Sequence, residues 1–269
     1  MAWTLVTPSS RGIGFALTRR LLQTLPTSVT IVATARLDLP GSRERLISSL
    51  DLTEAQSGRL DVQRCDVLSE ASISDLAGYC KERYNDRRKD KTAHLRLGLI
   101  IPGMLVPEKA PEKIEYDVAL QTLKLNLLAP MMLVKHFCGF LPRQSAKLSK
   151  LDGLPDSAVL ALMSARVGSI GDNRLGGWYS YRSSKAGVNQ LVKSTDIYVQ
   201  MQSAANAMCI GLHPGTVKTG LSEEFWGSTP QERLFSPEFS AEKMIDVIRR
   251  LQQDGRGRCW DWGGKEVPP

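Results

Sequence analysis

The sequence lacks long apolar segments. No uninterrupted apolar run approaches the roughly 20 residues that a helix needs to span a bilayer, which argues against a membrane protein. A strand is predicted almost from the first residue, so we expect no signal peptide, and the ending Val267-Pro-Pro269 is not a peroxisomal address. We therefore expect a protein that does not partner with a membrane.

The sequence also has little cysteine. The five cysteines (Cys65, Cys80, Cys138, Cys209 and Cys259) are odd in number and have no spacing typical of metal ligands. Three of them fall in predicted strands or helices among apolar neighbours, which indicates buried free thiols in a reducing compartment. We therefore expect a cytosolic protein without a metal site.

Positive charge is present in excess but is scattered. The formal net charge is +7, and the densest basic runs, 86–91 and 143–150, fall at a predicted helix end and in a predicted loop. Neither run interleaves aromatic residues that would stack on bases. The charge therefore predicts a solvated surface that attracts anionic ligands, and no nucleic-acid partner.

Strand and helix patterns alternate along the chain. This alternation is typical of an α/β fold with a doubly wound parallel sheet, here of about seven strands with helices on both faces. At 269 residues, we expect one Rossmann-type domain covering 1–269. The predicted strands are Trp3–Thr7, Thr30–Thr34, Arg59–Arg64, Leu95–Ile101, Ala158–Met163, Met208–His213 and Arg258–Trp260.

Helical spacing and loop composition complete the outline. Two apolar stripes, one from Ala16 to Leu25 and one from Ile73 to Cys80, predict amphipathic helices, and a densely apolar helix over 116–141 should be buried or lie in an interface. Residues 142–157 read as a long polar connection. Residues 214–239, rich in Gly and Pro, read as a long loop at the carboxyl ends of the strands, where ligands bind in such sheets, so we expect a substrate lid there.

The sequence Tyr181-Arg-Ser-Ser-Lys185 is the most informative short segment. A tyrosine and a lysine four residues apart lie one above the other on a helix. There the ammonium can lower the phenol pKa, which suits a proton donor that works near neutral pH. Alone the pair is not specific, because such pairs also occur on solvated helix faces.

The order of the other signals makes the pair specific. A Gly-rich turn, 7–14, follows the first strand, Asn126 lies in a mid-chain helix, Ser164 ends a strand, and His213-Pro-Gly-Thr-Val-Lys-Thr219 comes after Tyr181. Together these motifs resemble the short-chain dehydrogenase/reductase family, from about Thr4 to the C-terminus. The lead-in Gly176–Tyr181 and the ending Trp260–Pro268 are similar to the sniffer and C-factor-like carbonyl reductases within it.

The resemblance implies a nicotinamide cofactor on the Gly-rich turn. Glycines let the backbone approach a pyrophosphate, and the helix N-terminus supplies amide donors and partial positive charge. The family pattern has Gly where this chain has Pro8, and after the fourth strand Ile100-Ile-Pro-Gly103 replaces Asn-Asn-Ala-Gly, so only Gly103 is kept. The implied cofactor residues are Thr7, Ser9, Ser10, Arg11, Gly12, Ile13, Gly14, Arg36, Asp66, Val67, Gly103, Tyr181, Lys185, Pro214, Gly215, Thr216, Val217 and Thr219.

The end of the second strand predicts the choice of cofactor. A carboxylate there binds the ribose hydroxyls of NAD, whereas cations accept the 2′-phosphate of NADP. This strand ends in Arg36, with Asp38 two residues further on, and Arg11 lies in the Gly-rich turn. Two arginines suit a phosphate, so we expect NADP(H) to be preferred over NAD(H), and Asp66 to accept from the adenine amino group as the resemblance implies.

The catalytic set implied by the resemblance is Asn126, Ser164, Tyr181 and Lys185. Tyr181 would donate a proton to a carbonyl oxygen, Lys185 would hydrogen-bond the nicotinamide ribose, and Asn126 would hold a water for proton relay. In the family motif Ser-Ser-x-x-Gly, the second serine polarises the carbonyl, but here that position is Ala165. Either Ser164 takes over, or Ser169 or a loop donor does, or Tyr181 acts alone.

Three functions are compatible with these motifs. The first is reduction of a ketone or aldehyde by NADPH, with Trp178, Tyr179, Phe225 and Trp226 either walling an apolar substrate pocket or packing elsewhere. The second is a cofactor-binding sensor or scaffold without turnover. The third is a non-redox epimerase or cyclase. Retention of Tyr181, Lys185 and Asn126 favours the reductase, and we expect a homodimer or homotetramer, as the family often forms.

Overall fold

A computed structural model describes residues 2–84 and 93–269. The basic run at 86–91 lies outside the described residues. The larger sheet contains β1 (Ala2–Thr7), β2 (Val29–Ala35), β3 (Leu60–Arg64), β4 (His94–Ile100), β5 (Ala158–Met163), β6 (Ala207–His213), β9 (Cys259–Asp261) and β10 (Glu266–Val267). A second sheet pairs β7 (Thr216–Val217) with β8 (Leu234–Phe235).

The strand order of the larger sheet is β10-β9-β6-β5-β4-β1-β2-β3, and only β10 runs antiparallel to its neighbour. The predicted doubly wound parallel sheet is therefore confirmed, with eight strands instead of about seven. The order in which successive strands are added across the sheet reverses between β1 and β4, which are parallel neighbours. In this architecture, ligands bind in the crevice beyond the strand ends at such a point.

The helices cover both faces of the sheet. They are α1 (Gly12–Thr24), α2 (Leu39–Ile47), α3 (Glu54–Gly58), α4 (Glu70–Tyr84), α5 (Tyr116–Leu123), α6 (Ala129–Phe137), α7 (Tyr179–Ser203) and α8 (Pro237–Arg250). Both predicted stripes are buried, the first on α1 and the second on α4. The central strands β1, β2, β4, β5 and β6 are buried on both faces, as nearly continuous apolar runs such as that of β5 require.

The polar connection 142–157 is held by one buried arginine. Arg96 on β4 is 2% exposed, and its guanidinium donates to the backbone carbonyls of Ser149 (2.9 Å), Pro155 (2.8 Å) and Asp156 (3.1 Å). Burial lowers the pKa of Arg96. A charged group placed among carbonyl oxygens fixes a segment that has no regular structure of its own.

The segment Tyr116–Phe140 is long and apolar enough to cross a membrane by length and composition alone, a test that core helices of other proteins also pass. Only part of the predicted burial is found. Leu133 and Phe137 are buried, whereas Leu128 and Met131 are 47% and 41% exposed. An apolar face of this segment therefore lies at the surface of the single chain.

Cysteine burial follows the prediction. Cys65, Cys80, Cys209 and Cys259 are buried, Cys138 is half-buried, and all five are free thiols. Burial raises the pKa of the Cys65 thiol to about 11, which makes it a poor nucleophile at neutral pH.

Candidate functional site

The Gly-rich turn joins β1 to α1, next to the point between β1 and β4 where the strand order reverses. Gly12 has a φ of +57°, and a Cβ on Gly14 would lie 2.0 Å from the carbonyl oxygen of Pro8, so glycine is required at both positions. The Thr7–Pro8 peptide is cis. No side chain caps the first turn of α1. The amide groups of this turn therefore remain available to an anion bound in the crevice.

Two of the predicted cofactor residues use their side chains inside the turn. The Thr34 hydroxyl donates to the Thr7 hydroxyl oxygen at 2.8 Å, and the Ser9 hydroxyl donates to the Val6 carbonyl at 2.6 Å. Both Thr7 and Ser9 are buried. They fix the ends of β1 and β2 beside the crevice, and any contact they make with a cofactor would come from the backbone.

Arginines are exposed at the ends of three adjacent strands. Arg11 and Arg36 are both exposed, and neither side chain makes an ion pair or hydrogen bond with any residue that the structure describes. Arg64, which the sequence analysis did not single out, ends β3 beside Ala35 and is likewise exposed and unpaired within 2–84 and 93–269. Such guanidinium groups are available to an anion.

The carboxylate near the same strand end is already engaged. Asp38 has a left-handed backbone (φ 49°), and its side chain accepts from the Gly41 amide (3.0 Å) and from Arg45 (3.1 Å). The hydrogen bond from Arg45 lowers the pKa of Asp38. Asp38 caps α2 and is therefore less available to a ribose than a free carboxylate would be.

The predicted adenine residues lie after β3. Asp66 is half-buried, its carboxylate accepts from the Leu68 amide at 3.0 Å, and its own backbone amide donates to the Ser72 hydroxyl oxygen at 2.9 Å. This turn also orients Val67. The second carboxylate oxygen of Asp66 accepts no hydrogen bond from the residues that the structure describes, and the role of Asp66 as an adenine acceptor stays a prediction.

Asn126 lies in a one-turn π-helix, Lys124–Leu128, between α5 and α6. Its side chain is fully buried, accepts from the Met104 amide (2.8 Å), and donates to the Met104 carbonyl (2.9 Å) and the Ser184 hydroxyl (3.1 Å). Short π-helical turns inside α-helices are frequent at functional sites. The turn thus joins the loop after β4 to α7.

Tyr181 and Lys185 lie on one face of α7, as their spacing predicts. The Lys185 ammonium is 5.8 Å from the centre of the Tyr181 ring, and it donates to the Met163 carbonyl at 2.8 Å. A Cβ on Gly103 would lie 3.9 Å from both the Lys185 Nζ and the Asn126 Oδ1. The structure therefore brings Gly103, Asn126 and Lys185 together beside Tyr181.

The expected lowering of the phenol pKa is not found. Burial raises the pKa of Tyr181 to about 12, and burial lowers the pKa of Lys185 to about 8. The physical reason is that both groups lose hydration, while the ammonium is directed at a backbone carbonyl of β5. The ammonium still lies close enough to stabilise a phenolate once the proton has left.

The Ser164 hydroxyl is hydrogen-bonded to α7. Ser164 is 1% exposed, and its hydroxyl donates to Asn189 Oδ1 at 2.5 Å. Ala165 follows in extended conformation, and the Ser169 hydroxyl accepts from the Asp172 amide at 3.0 Å. Neither serine has a free hydroxyl in this arrangement, and the prediction that Ser164 polarises a substrate carbonyl stays a prediction.

The segment after β6 returns to the Gly-rich turn. A Cβ on Gly12 would lie 3.4 Å from Thr219 Cγ2, so Thr219 borders the turn, and Gly215 has a φ of +79°. Thr216 and Val217 form β7, with Val217 buried. The structure thus brings the second predicted cofactor segment to the first.

Aromatic rings border Tyr181. The Trp178 ring is 6.1 Å from the Tyr181 ring and 5.0 Å from the Phe225 ring, and Phe225 belongs to the predicted lid. The Trp226 indole instead donates to the Ser222 hydroxyl at 2.9 Å within the same segment. Of the four aromatic residues predicted to wall a pocket, Trp178 and Phe225 are joined next to Tyr181.

Glu108 is a residue of this region that the sequence does not mark. It lies in the loop between β4 and α5, is 3% exposed, and contacts the first turn of α7. The loop has no periodicity that would distinguish a buried carboxylate from a solvated one. Only the fold brings Glu108 into contact with the start of α7, next to Tyr181.

The fold and the order of these motifs are those that the resemblance to the short-chain dehydrogenase/reductase family predicts. No family model matches the chain. The chain is 29% identical to the C-signal protein of Myxococcus xanthus, over 58% of this chain and 81% of that protein.

Two other curated relatives carry enzyme names. A 1-hydroxy-2-glutathionyl-2-methyl-3-butene dehydrogenase of Rhodococcus sp. is 26% identical over 72% of this chain and 73% of its own. A benzil reductase of Bacillus cereus is 23% identical over 92% and 94%.

Two solved structures have the same fold. The NADPH-bound carbonyl reductase from chicken fatty liver has a TM-score of 0.79 and 24% identity, over 100% of this chain and 98% of that one. The carbonyl reductase Sniffer of D. melanogaster has a TM-score of 0.79 and 22% identity over the same shares. The likeness in fold to these two structures covers the whole chain.

Proposed function

We propose that this protein reduces a ketone or aldehyde with NADPH, with Tyr181 as the proton donor. The observation that carries the proposal is the meeting of Asn126, Tyr181 and Lys185 at Gly103, beside the Gly-rich turn. The names of its relatives, a dehydrogenase and a benzil reductase, and the NADPH in the structure of the chicken enzyme support the same reaction class.

The residues present fit a dinucleotide. Gly14 lets the first turn of α1 lie against the Pro8 carbonyl, that turn has free amides, and Thr219 borders the Gly-rich turn. Arg11 and Arg36 would bind the 2′-phosphate, because both are exposed and Asp38 is engaged by Arg45. These features favour NADP(H) over NAD(H).

The catalytic residues then have distinct tasks. Bound NADPH would supply the hydride. Tyr181 gives its phenol proton to the carbonyl oxygen, and the Lys185 ammonium stabilises the phenolate that remains. Asn126 fixes the loop at Met104 to α7 through Ser184, which keeps Lys185 in place and is compatible with the proposed water relay.

The substrate we propose is an apolar carbonyl compound. Trp178 and Phe225 offer ring faces next to Tyr181, and residues 214–239, which include Phe225, would close over the substrate as a lid. Free buried thiols are in keeping with a reducing compartment such as the cytosol. The exposed apolar residues of 116–140 suit a homodimer or homotetramer.

A second function is favoured by one observation. The Ser164 hydroxyl is bound to Asn189, and Ala165 occupies the position of the family's catalytic serine. Loss of such a donor typically costs on the order of 10²–10³ in rate. A protein that binds NADPH as a sensor or scaffold without turnover is therefore the alternative to test.

The decisive experiment is a fluorescence titration with NADPH and NADH, followed by a screen of aryl and alkyl carbonyl compounds. We expect micromolar affinity for NADPH, weaker affinity for NADH, and turnover of at least one carbonyl compound. Tyr181→Phe should lose turnover while keeping NADPH affinity, because only the proton is removed. Tight binding without turnover would select the sensor, and no binding would refute both.

A further inference from the structure

Glu108 makes three hydrogen bonds to the start of α7. Its Oε2 accepts from the Ser180 amide at 2.9 Å, its Oε1 accepts from the Ser180 hydroxyl, and its backbone carbonyl accepts from the Trp178 amide at 2.6 Å. Side chain and backbone of one residue thus hold both residues that flank Tyr179. Buried carboxylates need such partners.

The start of α7 lacks a cap of its own. Thr53 caps α3 and Ser236 caps α8 with their own side chains, whereas Trp178 precedes α7 and provides no such bond. Glu108 supplies the missing acceptor from a distant loop, at a helix end that favours negative charge. A small polar residue at position 178 would have capped the helix more simply.

The backbone of Trp178 explains why a clamp is needed. Trp178 has φ 52° and ψ 45°, a left-handed conformation that bulky residues rarely adopt, and it follows Gly176 and Gly177, which are also left-handed. The Trp178 amide is held by the Glu108 carbonyl. This conformation directs the indole toward Tyr181 and Phe225.

We propose that Glu108 is a positioning residue that holds Trp178 and Tyr181 in a fixed orientation toward the substrate carbonyl. The effect on turnover rests on the reductase function proposed above. The loop that carries Glu108 also carries Met104, which is bonded to Asn126, so one loop fixes both Tyr181 and Asn126. Placing the proton donor within a fraction of an ångström is worth up to about 100-fold in rate.

The test compares Glu108→Ala and Glu108→Gln with Asp61→Asn. Asp61 on β3 is the control, because its carboxylate likewise accepts hydrogen bonds from the protein, from the Tyr79 hydroxyl (2.9 Å) and the Tyr84 hydroxyl (2.8 Å) of α4 and from the Gln63 amide (2.5 Å), but none of these partners belongs to α7. We expect Glu108→Ala to lower kcat about 10- to 100-fold with NADPH affinity within about twofold of wild type. Glu108→Gln, which keeps the shape of the side chain, should have a kcat between those of wild type and Glu108→Ala. Asp61→Asn should lower Tm and leave kcat and NADPH affinity unchanged.

A second readout does not require turnover. In protein labelled with fluorotryptophan, the ¹⁹F resonance of Trp178, identified by its loss in Trp178→Phe, should shift or split in both Glu108 variants and stay unchanged in Asp61→Asn. If Glu108→Ala does not fold, Glu108→Gln decides. A lower Tm with unchanged kcat, KM and Trp178 resonance would overturn the proposal. A shifted resonance in a protein that reduces no carbonyl would refute the reductase and keep the positioning role.

Discussion

At the scale of single residues, the site places charged and polar groups where hydration is lost. Lys185 is 2% exposed and Asn126 is fully buried, yet each has hydrogen-bond partners, the first in the Met163 carbonyl and the second in Met104 and Ser184. Burial of either group without hydrogen-bond partners would cost several kcal/mol of folding free energy. A buried polar side chain with so high a cost in folding free energy is better explained by a chemical role than by packing.

The stability cost of Lys185 depends on pH. Burial lowers its pKa from 10.5 to about 8, so the folded chain releases this proton before the unfolded chain does. Burial of the ammonium lowers the free energy of unfolding by its full amount below pH 8. This loss shrinks between pH 8 and 10.5 and vanishes above pH 10.5. Relative to Lys185→Met, wild type should therefore gain on the order of 3 kcal/mol of unfolding free energy between pH 7 and 10.5.

Urea denaturation of both proteins at several pH values measures this difference. Lys193→Met, which removes an exposed lysine from the same helix, is the control for loss of a charge. A difference between wild type and Lys185→Met that stays constant from pH 7 to 10.5 would mean that the Lys185 ammonium is better hydrated than its burial indicates.

The proposed catalytic residues divide by what the sequence can reveal about them. Tyr181, Lys185 and Asn126 could be predicted as a set because the motifs that contain them resemble those of a known family, and the structure brings them together. The partner of Ser164, which is Asn189, and the role of Glu108 as a cap could not. Both depend on contacts between distant segments, for which a single sequence has no periodic signal.

At the scale of secondary-structure elements, strand ends assemble the proposed cofactor site. The ends of β1, β2 and β3 are adjacent in the sheet, and each is followed by an exposed arginine or ends in one, namely Arg11, Arg36 and Arg64. Asp38, the one carboxylate close by in sequence to Arg36, is paired with Arg45. Positive potential therefore extends along this part of the crevice.

This arrangement predicts how NADPH is distinguished from NADH. Arg36→Ala should weaken NADPH about 10- to 100-fold and leave NADH nearly unchanged, because a hydrogen bond to a charged group contributes about 1.5–3 kcal/mol. Arg64→Ala should have a smaller effect of the same sign. Fluorescence titration measures both, and the control is Arg20→Ala, which removes an α1 cation that is paired with Glu242 of α8. Equal weakening of NADH and NADPH would contradict a 2′-phosphate site.

Long buried strands were the easiest elements to predict. All seven predicted strands are present with each end within one residue, and five of them, β1, β2, β4, β5 and β6, are largely buried runs of six or seven residues, which are distinctive. The strands β7, β8 and β10 have two residues each, too few for any pattern. The π-helical turn at Asn126 was also missed, because its sequence continues the apolar helix on both sides.

At the scale of the whole molecule, two long helices leave apolar side chains exposed. Leu128 and Met131 lie in the segment 116–140, and Ile197 and Met201 on α7 are 50% and 68% exposed. The two segments pack closely, since a Cβ on Gly187 would lie 2.7 Å from Leu127. Exposed apolar residues grouped on packed helices are typical of a surface that a partner covers.

A second copy of the chain is the partner we expect, and it can be tested without knowledge of the substrate. Light scattering after size-exclusion chromatography should give the mass of a dimer or tetramer for wild type and of a monomer for Leu128→Lys combined with Met131→Glu. These substitutions lie on the face away from the buried Leu133 and Phe137, so the fold should persist. Ile114→Lys, also an exposed apolar residue but outside both helices, is the control. A monomeric wild type would leave this apolar surface to a different partner, and then the segment's membrane-like composition would become the observation to explain.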